Sequence, residues 1–106
     1  MFKAVILVHR RPGLSREDFS RYWRDDHAPV GSTLPGLRRY VQNHASTTPD
    51  GSAAPYDGFV EVWFDNQEAF EKAMSSPETE IVNTDVANFV DVDRMQPFFV
   101  EEVVVV

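Results

Sequence analysis

The sequence contains no cysteine among its 106 residues. This absence excludes a disulfide framework, a thiolate metal site and a cysteine nucleophile. Long hydrophobic runs are also missing. The first apolar run, residues 4–8, is too short for the hydrophobic region of a signal peptide and far too short to cross a bilayer. We therefore expect a soluble, cytoplasmic protein without a membrane partner.

Basic residues are scarce, because 10 Lys and Arg stand against 17 Asp and Glu, which gives a formal net charge of −7. Nucleic acids and anionic membranes are bound through basic patches that displace counterions, so this balance argues against both as partners. The pair Arg38-Arg39 is too small to change that conclusion. The remaining composition is that of an ordinary globular protein, and the length fits one domain over residues 1–106.

The hydrophobic pattern predicts the element order β-α-β-β-α-β. We expect strands over residues 2–9, 37–45, 57–64 and 96–106. The first helix is predicted to begin at Ser15, within a capping-box-like sequence, and to end near Ala28 because Pro29 and Gly31 follow. A second helix is expected after Asp65, and a further short one from Pro77. This order is that of an α+β, ferredoxin-like sandwich with helices on one face of an antiparallel sheet.

Several predicted strands are apolar on both faces, above all the first strand and the tail of four valines at residues 103–106. A ferredoxin-like sandwich covers only one sheet face with helices, so the other apolar face would be exposed unless a second subunit covered it. A chain of this length also buries only roughly two-thirds of its unfolded surface. We therefore predict a homodimer formed through the sheet faces, with the valine tail in the contact.

His27 is the first candidate for proton transfer. It lies eight residues after Phe19 and four after Trp23, on the apolar stripe of the first predicted helix. Imidazole exchanges protons near neutral pH, so His27 in an apolar pocket could act as an acid or base. The alternative is a core histidine that caps the C-terminal end of the helix.

The second candidate is a row of polar side chains on the second predicted strand, Tyr40, Gln42 and His44. Either Glu61 or its neighbour on the next strand could meet this row. Such a set could bind an enol or phenol oxygen and shuttle a proton. The alternative is a polar row at the dimer contact. The candidate substrate-binding residues are Trp23, His44, Trp63 and Phe89. Core packing is the competing role for the three aromatic residues, and the polar row at the dimer contact is the competing role for His44.

Two further expectations concern charged groups and metals. Asp85 either faces inward and pairs with a basic group or is solvated. The three histidines, His9, His27 and His44, lie on separate predicted elements without a close ligand spacing, so we expect no metal site. A Gly-rich phosphate loop, a Gly-x-Ser-x-Gly elbow and a Rossmann fingerprint are all missing. We therefore predict that the protein needs no cofactor.

Several short motifs follow one another along nearly the whole chain: Arg10-Arg11-Pro12-Gly13-Leu14-Ser15, Tyr22-Trp23 with His27-Ala28-Pro29, Tyr40-Val41-Gln42-Asn43-His44, Tyr56-Asp57-Gly58 with Glu61-Val62-Trp63-Phe64, and Phe89-Val90-Asp91. Together they resemble the EthD-like (ethyl tert-butyl ether degradation) family. The resemblance implies a dimeric α/β barrel. Similar barrels include cofactor-free monooxygenases, lactone isomerases and polyketide cyclases or dehydratases, and some relatives bind haem through a histidine.

The sequence thus leads to two hypotheses about function. The first is a cofactor-independent enzyme of catabolism or secondary metabolism that moves protons on a small hydrophobic carbonyl, phenolic or lactone substrate. In it, His27 is the acid/base, and Tyr40 and Glu61 orient the substrate. The second is a non-catalytic small-ligand-binding or accessory protein that uses the same pocket.

Overall fold

A computed structural model describes residues 1–106 and contains one four-stranded antiparallel sheet. Its elements are β1 (Phe2–Val8), α1 (Arg16–Arg21), a π-helical segment (Tyr22–His27), α2 (Ala28–Gly31), β2 (Arg39–His44), β3 (Gly58–Phe64), α3 (Gln67–Met74), α4 (Pro77–Val86), a 3-10 turn (Val92–Arg94) and β4 (Gln96–Val100). The strand order is β2-β3-β1-β4. The predicted ferredoxin-like fold is confirmed. None of the helices is long and apolar enough to cross a membrane.

The two faces of the sheet differ in what covers them. On one face, Ala4, Val62 and Phe64 pack with Ala73 of α3. Farther along the same face, the second buried cluster joins strand and helix residues, namely Val8, Phe19, Trp23, Phe89 and Val90. Successive side chains of a strand alternate between faces, so the register places Lys3, Glu61 and the residues in phase with them on the face without helices. We call it the open face.

The first helix begins as predicted, since the Ser15 hydroxyl accepts a hydrogen bond from the Asp18 amide at 3.1 Å. It continues to Gly31 rather than ending near Ala28. Pro29 has no N–H to donate to the preceding turn, and the helix widens there instead of stopping. The Ala28 amide donates to the Trp23 carbonyl five residues back, which is the π-helical pattern. Pro29 therefore reshapes the helix beside His27.

The structure differs from the prediction at two other boundaries, the start of the second helix and the end of the last strand. The second helix, α3, is capped by Asn66, whose side chain accepts from the Ala69 amide at 2.8 Å. Asp65, at the predicted cap, instead pairs with Arg38 at 2.9 Å. The last strand ends at Val100 rather than at residue 106. Its partner is β1, the last pair between the two strands is Lys3 with Val100, and the four valines lie outside the sheet.

Gly58 lies at the start of β3 beside Trp23. A Cβ there would lie 2.7 Å from the Trp23 Cζ3 atom and would also overlap the Asn43 carbonyl oxygen. We expect Gly58→Ala to lower the free energy of unfolding by about 1–3 kcal/mol, the usual cost of overpacking. Urea denaturation measures this loss. Gly51→Ala is the control, because Gly51 has a positive φ but open space around it. Equal losses in the two variants would contradict the steric explanation.

Candidate active site

A cavity of about 370 Å³ lies between the helices and the helix-covered face of the sheet. Most of its wall is aliphatic or aromatic, and both Trp23 and Phe89 line it. The polar side chains on the wall are few: His27, Tyr40, Thr79 and Asn83. A cavity of this size with a few polar groups suits a small hydrophobic ligand.

His27 lies at the end of the π-helical segment and is only 5% exposed. Its Nδ1 atom is 2.6 Å from Oδ2 of Asp85, in the last turn of α4, and its ring lies 4.8 Å from the Phe89 ring. A carboxylate oxygen accepts hydrogen bonds, so Nδ1 carries the ring proton and donates a hydrogen bond to Asp85. Nε2 has no hydrogen-bond partner in the protein and belongs to a ring that lines the cavity.

Asp85 is held by more than His27. The Tyr22 hydroxyl donates to its Oδ1 at 2.6 Å, and the Asn88 amide donates to the same oxygen at 3.2 Å. Burial raises the pKa of Asp85, but the hydrogen bonds from Tyr22, His27 and Asn88 outweigh it and hold the pKa below its ordinary value. The bond to Asp85 raises the pKa of Tyr22. At neutral pH the site therefore holds a carboxylate behind His27.

Tyr40 reaches the cavity from β2. Its hydroxyl accepts a hydrogen bond from the Gln42 side-chain amide at 3.0 Å, and the same amide donates to the Trp23 carbonyl at 2.8 Å. Burial raises the pKa of Tyr40, so the phenol stays protonated at neutral pH. Gly31 permits this position, since a Cβ there would lie 3.1 Å from the Tyr40 ring. The phenol proton remains available to an acceptor in the cavity.

His44 contacts Gln42, Ser20 and Trp23. Its Nε2 atom is 2.9 Å from Oε1 of Gln42, its Nδ1 atom is 3.0 Å from the Ser20 hydroxyl, and its ring lies 4.3 Å from the Trp23 ring. Burial lowers the pKa of His44, which favours a neutral ring whose Nε2–H donates to Gln42. His44 is not on the cavity wall, where a substrate contact was expected, and it contacts Gln42 instead.

Glu61 and Trp63 do not meet the other predicted site residues. Tyr40 pairs with Val62 across the sheet, so the neighbouring residues Glu61 and Trp63 point to the open face. There Glu61 pairs with Lys3 at 2.7 Å, and the hydrogen bond from Lys3 lowers the pKa of Glu61. The Lys3 ammonium lies 4.6 Å from the Trp63 ring. The expectation that Glu61 orients a substrate with His27 is corrected, as is that of Trp63 as a cavity wall.

Comparison with known proteins identifies the family. The EthD domain profile matches residues 11–93 of the chain. The chain belongs to the EthD family. Two curated relatives are 30% identical to it: the decarboxylase claH of Passalora fulva, covering 87% of this chain and 70% of that protein, and the dehydratase ustZ of Ustilaginoidea virens, covering 86% and 76%. An EthD family protein of Bacillus halodurans has a similar structure, with a TM-score of 0.79, 22% identity and coverage of 97% and 100%.

Two residues that contact Asp85 in this EthD-family chain, Tyr22 and Asn88, were not among the predicted site residues. Of the two alternatives for Asp85, the inward-facing one is confirmed, because it pairs with His27. Asn88 follows Asp85 by three residues, so both side chains can reach one point just beyond α4. No group of three His, Asp or Glu side chains is placed to bind a metal ion.

Proposed function

We propose that this EthD-family protein is a cofactor-independent enzyme that transfers protons on a small hydrophobic carbonyl, phenolic or lactone substrate, in a lyase-type reaction. The observation that carries the proposal is His27 on the wall of an apolar cavity, with its Nδ1 atom bound to Asp85 at 2.6 Å. An imidazole oriented by a carboxylate is a common general base. The names of the two relatives, a decarboxylase and a dehydratase, support lyase chemistry.

In the proposed reaction, His27 and Tyr40 act on different atoms of the substrate. For a dehydration, Nε2 of His27 takes the proton from the carbon next to the carbonyl. The imidazolium then gives that proton to the hydroxyl on the following carbon, whose bond to carbon breaks as it leaves as water. For a decarboxylation, the imidazolium supplies the proton that replaces the lost carbon dioxide on carbon. In both cases Tyr40 donates a hydrogen bond to the oxygen that gains charge, and Asp85 stabilises the imidazolium.

The experiment that tests this function is a turnover screen of the purified protein. The panel contains β-hydroxy carbonyl compounds, phenolic carboxylic acids and lactones. Mass spectrometry follows the loss of water or carbon dioxide, and liquid chromatography separates a lactone from its isomer. Saturable conversion of one class supports the proposal and selects the reaction. Binding of panel members without conversion of any would instead support the non-catalytic ligand-binding hypothesis.

We also propose a homodimer formed through the open face. Apolar side chains lie there among the charged ones, including Phe59 and Phe98, which are 37% and 45% exposed. The tail adds to this surface, because Glu102 pairs with Lys3 at 2.9 Å and the four valines that follow are at least 77% exposed. A second subunit on this face would remove these side chains from water.

Deletion of residues 103–106 is expected to weaken the dimer, because the four valines are strongly exposed apolar residues and follow Glu102, which pairs with Lys3 of the open face. Size-exclusion chromatography with light scattering over a range of concentrations measures the dissociation constant. A variant with four serines in place of the valines keeps the chain length and should weaken the dimer in the same way. An unchanged dimer in both variants would place the tail outside the contact, and a monomeric parent protein would reject the dimer itself.

A further inference from the structure

A second cavity, of about 540 Å³, lies outside the site described above. It shares no lining residue with the cavity of His27. Four of the chain's 10 Lys and Arg residues line it, namely Arg10, Arg11, Arg16 and Arg94. Only two carboxylates, those of Asp57 and Asp91, lie on the same wall, so its formal charge is four minus two, or +2. This basic cavity belongs to a chain whose net charge is −7.

Most of these arginines have no counter-charge within the protein. Arg10 pairs with Asp57 at 3.1 Å, but Arg11, Arg16 and Arg94 form no ion pair. One guanidinium nitrogen, Nη2 of Arg16, is buried without any hydrogen-bond partner. A buried donor that is left unpaired is costly, and a bound ion is one of the few explanations for such a group.

Backbone hydrogen bonds fix the segments that carry the arginines. The Arg11 amide donates to the Phe89 carbonyl at 2.8 Å, and the Asp91 amide donates to the His9 carbonyl at 2.9 Å. Arg94 lies in the short turn that follows, and its amide donates to the Asp91 carbonyl at 3.1 Å. The arginines of the two segments are thus brought to one cavity by the fold and not by contacts among their own side chains.

We propose that the basic cavity binds the oxyanion group, phosphate or carboxylate, of a small molecule, with Arg11, Arg16 and Arg94 as its ligands. Guanidinium groups match the geometry of both oxyanions and form strong, charge-assisted hydrogen bonds with them. An anion here would also provide a partner for the buried nitrogen of Arg16. The two carboxylates on the wall and the negative charge of the whole chain disfavour a long polyanion such as a nucleic acid.

Isothermal titration calorimetry with pyrophosphate and with citrate tests this proposal. The parent protein is expected to bind at least one probe, more weakly as sodium chloride is added. Arg16→Gln and Arg94→Gln should each weaken binding by about tenfold or more, the usual effect of losing a hydrogen bond between charged groups. Arg24→Gln is the matched control, because Arg24 is exposed, pairs with Asp25 and lies outside the cavity. Its affinity should equal that of the parent.

The two probes separate the two sources of the oxyanion. Stronger binding of pyrophosphate supports a phosphorylated ligand, and stronger binding of citrate supports a carboxylated one. The proposal is overturned if neither probe binds at millimolar concentration, or if Arg24→Gln weakens binding as much as Arg94→Gln does. Arg94 is exposed, so its variant keeps the test valid even if Arg16→Gln fails to fold.

Discussion

Replacing His27 with glutamine is expected to abolish turnover while the fold and the oligomeric state persist. Glutamine can still form a hydrogen bond with Asp85, but it cannot take up and return a proton at neutral pH. We expect kcat to fall by at least about 10²-fold, the lower end of what a positioned acid/base group contributes. Initial rates with a substrate from the turnover screen measure this loss, and circular dichroism verifies the fold.

The same variant separates the catalytic role of His27 from a structural one. A histidine that only fills the core and binds Asp85 would, when replaced, lower the melting temperature and leave turnover largely intact. Full activity in a well-folded His27→Gln protein would therefore end the acid/base assignment. A mechanism centred on Tyr40, or ligand binding without catalysis, would then remain.

Local sequence signals were enough to predict the element order but not where strands end. Ser15 caps the first helix as expected because a cap depends on contacts within one turn. The end of β4 depends on its pairing with the distant strand β1, which stops at Lys3 and Val100. The valine tail looks like a strand by composition, yet only the register shows that it runs past the sheet.

In the candidate site too, the residue that depends on local spacing was predicted, and the contact between distant residues was not. His27 was found because its spacing from Trp23 follows the helix period, which is a local property. Asp85 lies 58 residues away in the chain, so no spacing rule connects the two. The prediction that Glu61 meets the polar row of β2 was wrong, because that row faces the helices and Glu61 faces the other side of the sheet. Within the row, Gln42 and His44 form a hydrogen bond with each other. Val62 and Phe64 lie on the covered face of β3. Because side chains alternate along a strand, these two apolar residues already indicated that Glu61 lies on the opposite face.

Asp85→Asn is expected to lower kcat by roughly 10²-fold or more with little change in KM, because Asp85 lies behind His27 and not on the cavity wall. An asparagine can present its amide N–H to Nδ1 of His27 while its oxygen accepts from Tyr22. The imidazole proton would then move to Nε2, which could no longer accept a proton from the substrate. A long-range ¹H–¹⁵N correlation spectrum detects this change of tautomer without any substrate.

Asp85 also links the site to acid stability. Its pKa in the folded protein lies below the ordinary value, because the hydrogen bonds it accepts outweigh the effect of burial. The ionised group therefore stabilises the fold above the ordinary aspartate pKa of about 3.9, and this contribution is lost as the pH falls through the lower folded value. Asp85→Asn lacks the contribution at every pH. The difference in melting temperature between parent and variant should be largest near neutral pH and shrink below about pH 4.

Two further variants show whether these effects belong to the contact between Asp85 and His27. Asp93→Asn removes an exposed carboxylate that is not on the cavity wall, so kcat and the histidine spectrum should match those of the parent. Tyr22→Phe removes one donor to Asp85 but keeps the bond to His27, so it should reduce kcat less than Asp85→Asn does. If Asp85→Asn raised KM and left both kcat and the tautomer unchanged, Asp85 would be a structural residue. His27 would then have to act without a carboxylate to orient it.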